Sequence, residues 1–409
     1  MTKKLIFRSL ILLLFVVECA AMNIIKPFDI FLRPQLPCEG KHFQVFGWGE
    51  YGFDAQGYDT CGDKVNVLKI WNKNQDAIAM LNGFDPLTTA GQLRTRLGDN
   101  DGVAGHFCVD GDLRAIGATL AARYIFPYNI SLGLYVPIYS MKLDNVVWQD
   151  LTPSGNVLIR ENLTDNFPAR IMELGCLDIC GWNRTGLGDM MLVGEWQGAF
   201  EQHKPILKQV VLDIRLGLGL PTGLRSDEDK IFALPFGADG AWSVMFGAGL
   251  DLVWADYIRG GFDVELNHIF GNRKERRIKT DLCQTDLLFL QKACTYKDYG
   301  LTQQFTLHAG IFKFYSGFSF DVGYRYIKHD DDILTLEGNC FSDKIANSAE
   351  SLKEWTAHQI LLKAEYDIGY HMSEDSVLLP TIGAYARIPF NGKRVALCPS
   401  VGAMLTFNF

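Results

Sequence analysis

From about residue 110 onward the chain alternates apolar and polar residues with period two, over unusually long stretches. Between Gln209 and Leu220, Val210, Leu212, Ile214, Leu216, Leu218 and Leu220 share one face, and Gln209, Asp213, Arg215, Gly217 and Gly219 share the other. A helix would mix these sets, whereas an extended strand separates them. Trp242 to Trp254 repeats the pattern: Trp242, Val244, Phe246, Ala248, Leu250, Leu252 and Trp254 oppose Ser243, Gly247, Gly249 and Asp251. In the stretch 318–326, Phe318, Phe320, Val322, Tyr324 and Tyr326 oppose Ser319, Asp321, Gly323 and Arg325. Similar segments fall at about 43–53, 112–126, 129–143, 187–200, 261–271, 302–315, 356–370, 377–389 and 395–409, twelve in all. Ordinary strands run about 5–6 residues, and strands that cross hydrocarbon need about 9–11. The lengths point to the second kind.

The connections alternate in length. Short ones fall at Pro127–Tyr128, Glu201–Pro205, Asp256–Gly260, Ser316–Gly317 and His371–Ser376. Long ones fall at about 54–111, 144–186, 221–240, 272–301 and 328–355, with a shorter last one near 390–394. Such asymmetry belongs to membrane barrels, with short periplasmic turns and long extracellular loops. A soluble sandwich would space its turns evenly. The predicted fold is all-β: a closed antiparallel transmembrane β-barrel of about 12 strands with both termini in the periplasm.

The chain opens with Lys3, Lys4 and Arg8, an apolar run from Ser9 to Val17, and the small residues Cys19, Ala20 and Ala21. This is the pattern of a secretory signal peptide cleaved after Ala21. The expected division is therefore a signal peptide at 1–21, a periplasmic N-terminal segment at 22–42, and an outer-membrane barrel at 43–409. Cleavage removes three basic residues and Glu18, leaving 36 basic and 46 acidic residues. That acidic balance argues against a nucleic-acid partner. No later stretch is apolar enough for a membrane helix.

The last segment alternates Val395, Leu397, Val401, Ala403, Leu405, Phe407 and Phe409 up to the terminal residue. It resembles the carboxy-terminal signature by which bacterial outer-membrane proteins reach their assembly machinery. That resemblance implies an outer-membrane location and makes Phe409 an assembly signal. The stretches Thr185-Gly-Leu-Gly-Asp189 and Leu216-Gly-Leu-Gly-Leu-Pro-Thr-Gly223 are similar to a family of outer-membrane transporters named for the phenol MetA pathway. The match covers about forty residues and implies transport, without assigning functional residues.

The polar rows carry Arg123, Asp189, Glu195, Asp213, Arg215, Asp251, Asp263, Glu265, Asp321, Arg325, Lys363, Glu365, Asp367 and Arg387. In lipid an Arg or Lys at mid-membrane costs about 2–4 kcal/mol, so this row must face the lumen. Two readings stay open there: a salt-bridge network filling the barrel, or the lining of a cation-preferring pore. A twelve-strand lumen falls between filled eight-strand barrels and open sixteen-strand ones. The long first loop contains Asn74-Gln-Asp-Ala-Ile-Ala-Met-Leu81, which predicts a short helix capped by Asn74. That loop forms either a constriction or a lid.

No histidine is paired with a serine on one strand face, as a barrel hydrolase would need. Asp330, Asp331 and Asp332 beside His329 read as solvated surface. No catalytic residue, metal or cofactor is expected. In an exported chain the cysteines predict loop disulfides: Cys61 with Cys108, Cys176 with Cys180, Cys283 with Cys294, and less securely Cys340 with Cys398, leaving Cys38 alone. The functional expectation is passive passage of small solutes through a polar lumen, with outer-membrane lipid and the assembly machinery as partners. The alternative is a closed barrel that acts structurally or through its extracellular loops.

Overall fold

The computed structural model describes residues 26–36, 40–53, 55–98, 102–255, 257–338, 340–372 and 378–409. The expected signal peptide and Cys38 lie outside them. Twelve strands form the barrel: β1 (Phe43–Gly52), β2 (His106–Phe126), β3 (Ile130–Asp150), β4 (Met190–Glu201), β5 (Leu207–Leu220) and β6 (Ser243–Trp254), then β7 (Ile258–Ile269), β8 (Thr302–Tyr315), β9 (Phe318–His329), β10 (Trp355–Asp367), β11 (Leu379–Lys393) and β12 (Ser400–Asn408). Each pairs antiparallel with its neighbours in the chain. The barrel closes where β12 pairs with β1, from Gln44 opposite Asn408 to Gly52 opposite Ser400. Closure removes the unpaired edges that an open sheet would expose.

The period-two pattern sorts the residues as the sequence predicts. On β5, Leu212, Ile214, Leu216 and Leu218 are exposed on the outside, while Asp213 and Arg215 are buried inside. Glycine in the inner row makes room for these long polar side chains. A Cβ at Gly249 would collide with the carboxylates of Asp213 and Asp263, and one at Gly261 with Asp251 and His308. At Ser316–Gly317 both residues have positive φ, 49° and 90°. That pair makes the two-residue turn whose twist matches antiparallel strands.

Two strands exceed their predicted length. β2 and β3 run 21 residues each, about 70 Å at the rise of a strand. They stay paired to Phe107 opposite Asp150, across a bulge at Asp110/Asp112. Their extended ends bury Phe107, Val109, Leu113, Met141 and Leu143 in a core built with the long connections. The segment predicted at 187–200 is interrupted instead. Trp182–Leu187 pairs with Ile138–Leu143 of β3, then Gly188 donates to the Pro137 carbonyl (3.0 Å), and β4 starts at Met190. Pro137 has no N–H to give the ladder at this point.

The connection 55–98 helps build a cap at the long-connection end of the barrel. Its Val67, Leu68, Ile70, Ile78, Met80 and Leu81 share one buried apolar core with Trp182, Phe236, Trp355 and Leu397. The helix predicted over 74–81 does not form. Gln75–Asp76 pairs with β2, and the Asp76 carboxylate accepts from Ile78 N (2.9 Å) and Ala79 N (2.8 Å), which turns the chain before one 3-10 turn at Ala79–Leu81. The helix of this loop is Thr89–Leu97, capped by Thr88 Oγ1 on Gly91 N and stopped at Gly98 with φ 74°. The expected disulfides are absent among the described residues: Cys61, Cys108, Cys176, Cys180, Cys283, Cys294, Cys340 and Cys398 are free thiols. Cys398 is buried, and its thiol donates to the Phe53 carbonyl (2.8 Å).

Candidate functional site: the barrel lumen

The inner row is less polar than the sequence suggests. Phe46 and Trp48 of β1, Tyr135 of β3, Met191 and Val193 of β4, Met245 of β6, Leu361 of β10, Tyr385 of β11 and Met404 of β12 all point inward and form one apolar cluster. Phe28, Phe31 and Leu32 sit at its centre, and Phe28 is 0% exposed. A segment that touches inward side chains on opposite sides of the barrel lies inside it. Residues 26–36 thus occupy the lumen, where the expectation had placed 22–42 outside the barrel as a periplasmic tail. Burial of Phe28, Phe31 and Leu32 gives this placement its driving force.

The segment also carries charges that match the wall beside it. Lys26 pairs with Glu265 of β7, and Arg33 with Glu195 of β4. The walls there, β4 to β7, are predominantly acidic: Glu195, Asp213, Asp251, Asp263 and Glu265 against Arg215 and Arg259. Asp29 faces the other side, where Arg325 Nη2 and Nη1 reach its two oxygens (2.5 and 3.0 Å) and Arg387 Nη2 adds a third bond (2.9 Å). Arg123 and Gln44 donate to the Pro34 and Gln35 carbonyls (both 2.8 Å). Its backbone makes an internal turn, Leu32 N to Asp29 O (3.2 Å), and among the described residues joins no strand. Side chains hold it in place.

Most of the charges predicted to line the lumen do face inward, and most are paired. Arg215 bridges Asp213 and Asp263. His308 meets Asp251 (2.7 Å), Lys363 meets Asp321 (3.4 Å) and Glu365 (3.0 Å), and Arg387 also holds Glu50. Asp367 pairs with Lys313 (2.8 Å) beside the short turn at Ser316. Asp189 does something else. Its carboxylate accepts from Gly223 N (2.8 Å) and Ala238 N (2.6 Å), pinning a long connection at the strand break. Asp332, predicted as solvated surface, is paired with Lys297 (2.7 Å) and His329 (3.0 Å) and anchors the cap to β9.

Space remains on both sides of the segment. Toward the short turns a cavity of about 880 Å³ is floored by Ile30, Phe31, Arg33 and Leu36 and walled by Asp213, Asp251, Arg259, His308 and Lys363. Toward the cap a void of about 20 Å³ lies beside Lys26 and Pro27. It shares Ala238 and Ile269 with a cavity of about 300 Å³ inside the cap. Residues 26–36 line both the large cavity and the small void.

The sequence reading missed Lys26, Phe28, Asp29, Phe31 and Arg33. Their signal was a run of aromatic and charged residues over 26–33, punctuated by Pro27 and Pro34, too apolar for an exposed tail and unsuited by its prolines to a strand.

No protein-family model matches the chain, and no curated protein sequence matches it. Among solved structures it is similar to an outer membrane channel from Pseudomonas putida F1, at 9% identity over 92% of this chain and 100% of that one, with a TM-score of 0.52. The fold is shared. The CymD monoaromatic hydrocarbon channel (9% identity, 90% of this chain and 88% of that one) and the P. putida toluene transporter TodX (9%, 91% and 91%) superpose loosely, with TM-scores of 0.32 and 0.30.

Proposed function

We propose that the chain is an outer-membrane channel for passive passage of small solutes, held closed in the structure by its own residues 26–36. The observation that carries this reading is a lumen cavity of about 880 Å³ floored by a segment that, among the described residues, joins no strand. The exposed outer row of Leu212, Ile214, Leu216, Phe246, Leu250 and Phe320 suits lipid contact. The shared fold of an outer membrane channel supports the placement. Selection would come from lumen width and charge, without covalent chemistry. With the segment seated, its cations pair with Glu195 and Glu265; with it displaced, Glu265 loses its cation while Glu195 keeps Arg123 (3.6 Å), and the freed negative charge favours cations.

The rival reading, a closed structural barrel, draws on the apolar cluster around Phe28. The two separate in a proteoliposome assay with small solutes of graded size. Solute-dependent swelling supports the channel, and liposomes no more permeable than protein-free ones support the closed barrel.

A further inference from the structure

Arg325 is 5% exposed and points into the lumen. Its Nε reaches only Thr306 Oγ1 (3.4 Å), and among the described residues its carboxylate partner is Asp29 alone. A buried guanidinium without an acidic partner on the barrel wall is costly unless an anion is brought to it. Arg387 stands beside it and shares Asp29, while keeping Glu50 on its other nitrogen. Together they form a fork that takes both oxygens of one carboxylate, the geometry in which guanidinium recognition is strongest.

The aromatic residues of the segment pack on two sides of the lumen: Phe31 beside β9, the strand that carries Arg325, and Phe28 against β3 and β5. The Phe28 ring lies edge-on to Tyr135 with centroids 5.4 Å apart, and Arg215 covers it at 5.8 Å. The Phe31 ring lies under Lys363 at 5.5 Å. Gly323 leaves it room, since a Cβ there would stand 3.0 Å from the ring. The rest of the apolar wall comes from the barrel itself: Phe46, Trp48, Leu361 and Tyr385. The segment thus seats a carboxylate on Arg325 and a ring against Gly323, one inward position away on the same strand, and the lumen receives that combination. Phe31 also borders the 880 Å³ cavity, so a solute reaching that cavity meets the segment at this point.

We propose that the lumen holds a binding site for a small monocarboxylate with an aromatic body, the seat that Asp29 and Phe31 occupy in the closed chain. Such a solute competes with Asp29 for Arg325 and Arg387 and displaces the segment as it binds. A second negative charge is disfavoured, because Glu50 lies against the fork. The site assigns a solute class to the channel reading and rests on that reading for transport only.

The test is isothermal titration of the refolded full-length protein with sodium phenylacetate, against sodium acetate and 2-phenylethanol, which carry the charge or the ring alone. Asp29→Asn removes the internal competitor, so phenylacetate should bind it about tenfold or more tighter than wild type. In that variant both controls should bind about tenfold or more weaker than phenylacetate. Heat-modifiable migration checks that each protein is folded. If Asp29→Asn does not refold, Arg325→Lys, which keeps the charge and loses the fork, should weaken phenylacetate binding about tenfold in an otherwise wild-type chain. Phenylacetate binding no tighter than 2-phenylethanol in Asp29→Asn, or undiminished in Arg325→Lys, overturns the proposal. Intact binding in a protein that fails to permeabilise liposomes would defeat the channel reading and leave the site standing.

Discussion

Phe28→Ala separates the segment from the barrel energetically. Phe28 is 0% exposed and is packed against Tyr135 and Arg215. Truncating a fully buried phenylalanine costs about 3–5 kcal/mol. Because the segment joins no strand, that cost falls on its seating and not on the ladder. At about 1.4 kcal/mol per factor of ten, even about 3 kcal/mol should raise the displaced-to-seated ratio by roughly a hundredfold. Single-channel recording should then show openings about a hundred times more frequent than wild type, at unchanged unit conductance. Urea unfolding of the barrel should move little. The reasoning fails if opening frequency stays at the wild-type level while the unfolding midpoint drops, since Phe28 would then belong to the barrel core.

Other outcomes follow from the pairs already described. Asp213→Asn leaves buried Arg215 with Asp263 alone; breaking a buried pair costs about 3 kcal/mol, so unfolding should occur at lower denaturant while the reversal potential of any open pore changes little. In the cap, burial pushes the Asp332 carboxyl up, but Lys297 and His329 outweigh burial and hold it well below the usual carboxylate range. A depressed carboxyl stabilises the fold above its unfolded value near pH 4 and loses that contribution as pH falls below it; protease sensitivity of the 330–354 connection should rise below about pH 4 in wild type, and Asp332→Asn should flatten that dependence. Phe409 closes the seam, its ring 6.1 Å from Phe43 and its N–H on the Phe43 carbonyl (2.8 Å); deleting it should reduce membrane-inserted, heat-modifiable protein, and normal insertion would remove it as an assembly signal.

The strands were legible because each carries its burial pattern locally. Leu212 and Asp213 sit on opposite faces whatever the neighbours are, and the inner glycines, such as Gly249, mark where long side chains cross. The full length of β2 and β3 was not legible. Beyond Leu143, Val146 and Trp148 pack against the cap while the apolar Val147 between them is exposed, so the alternation that identified the rest breaks. The misplaced helix at 74–81 turned on one side chain, since Asp76 bonds to the backbone ahead of it in place of a helical turn. The true helix had its own signals in Thr88 and Gly98. The lumen charges were legible as a row but not as pairs, because Arg215 and Asp263 are 48 residues apart and meet only across strands. Residues 26–36 were the hardest to place, since nothing within the segment says that a twelve-strand lumen is available to bury Phe28.

If residues 26–36 close the barrel, their removal should open it. Planar-bilayer recording of the full-length protein beside a variant lacking those residues tests it most directly, once heat-modifiable migration shows that both are folded. The full-length protein should conduct rarely. The shortened one should show steady, cation-preferring conductance, since Glu195 and Glu265 lose the cations of Arg33 and Lys26. A folded variant as silent as the full-length chain would contradict the account.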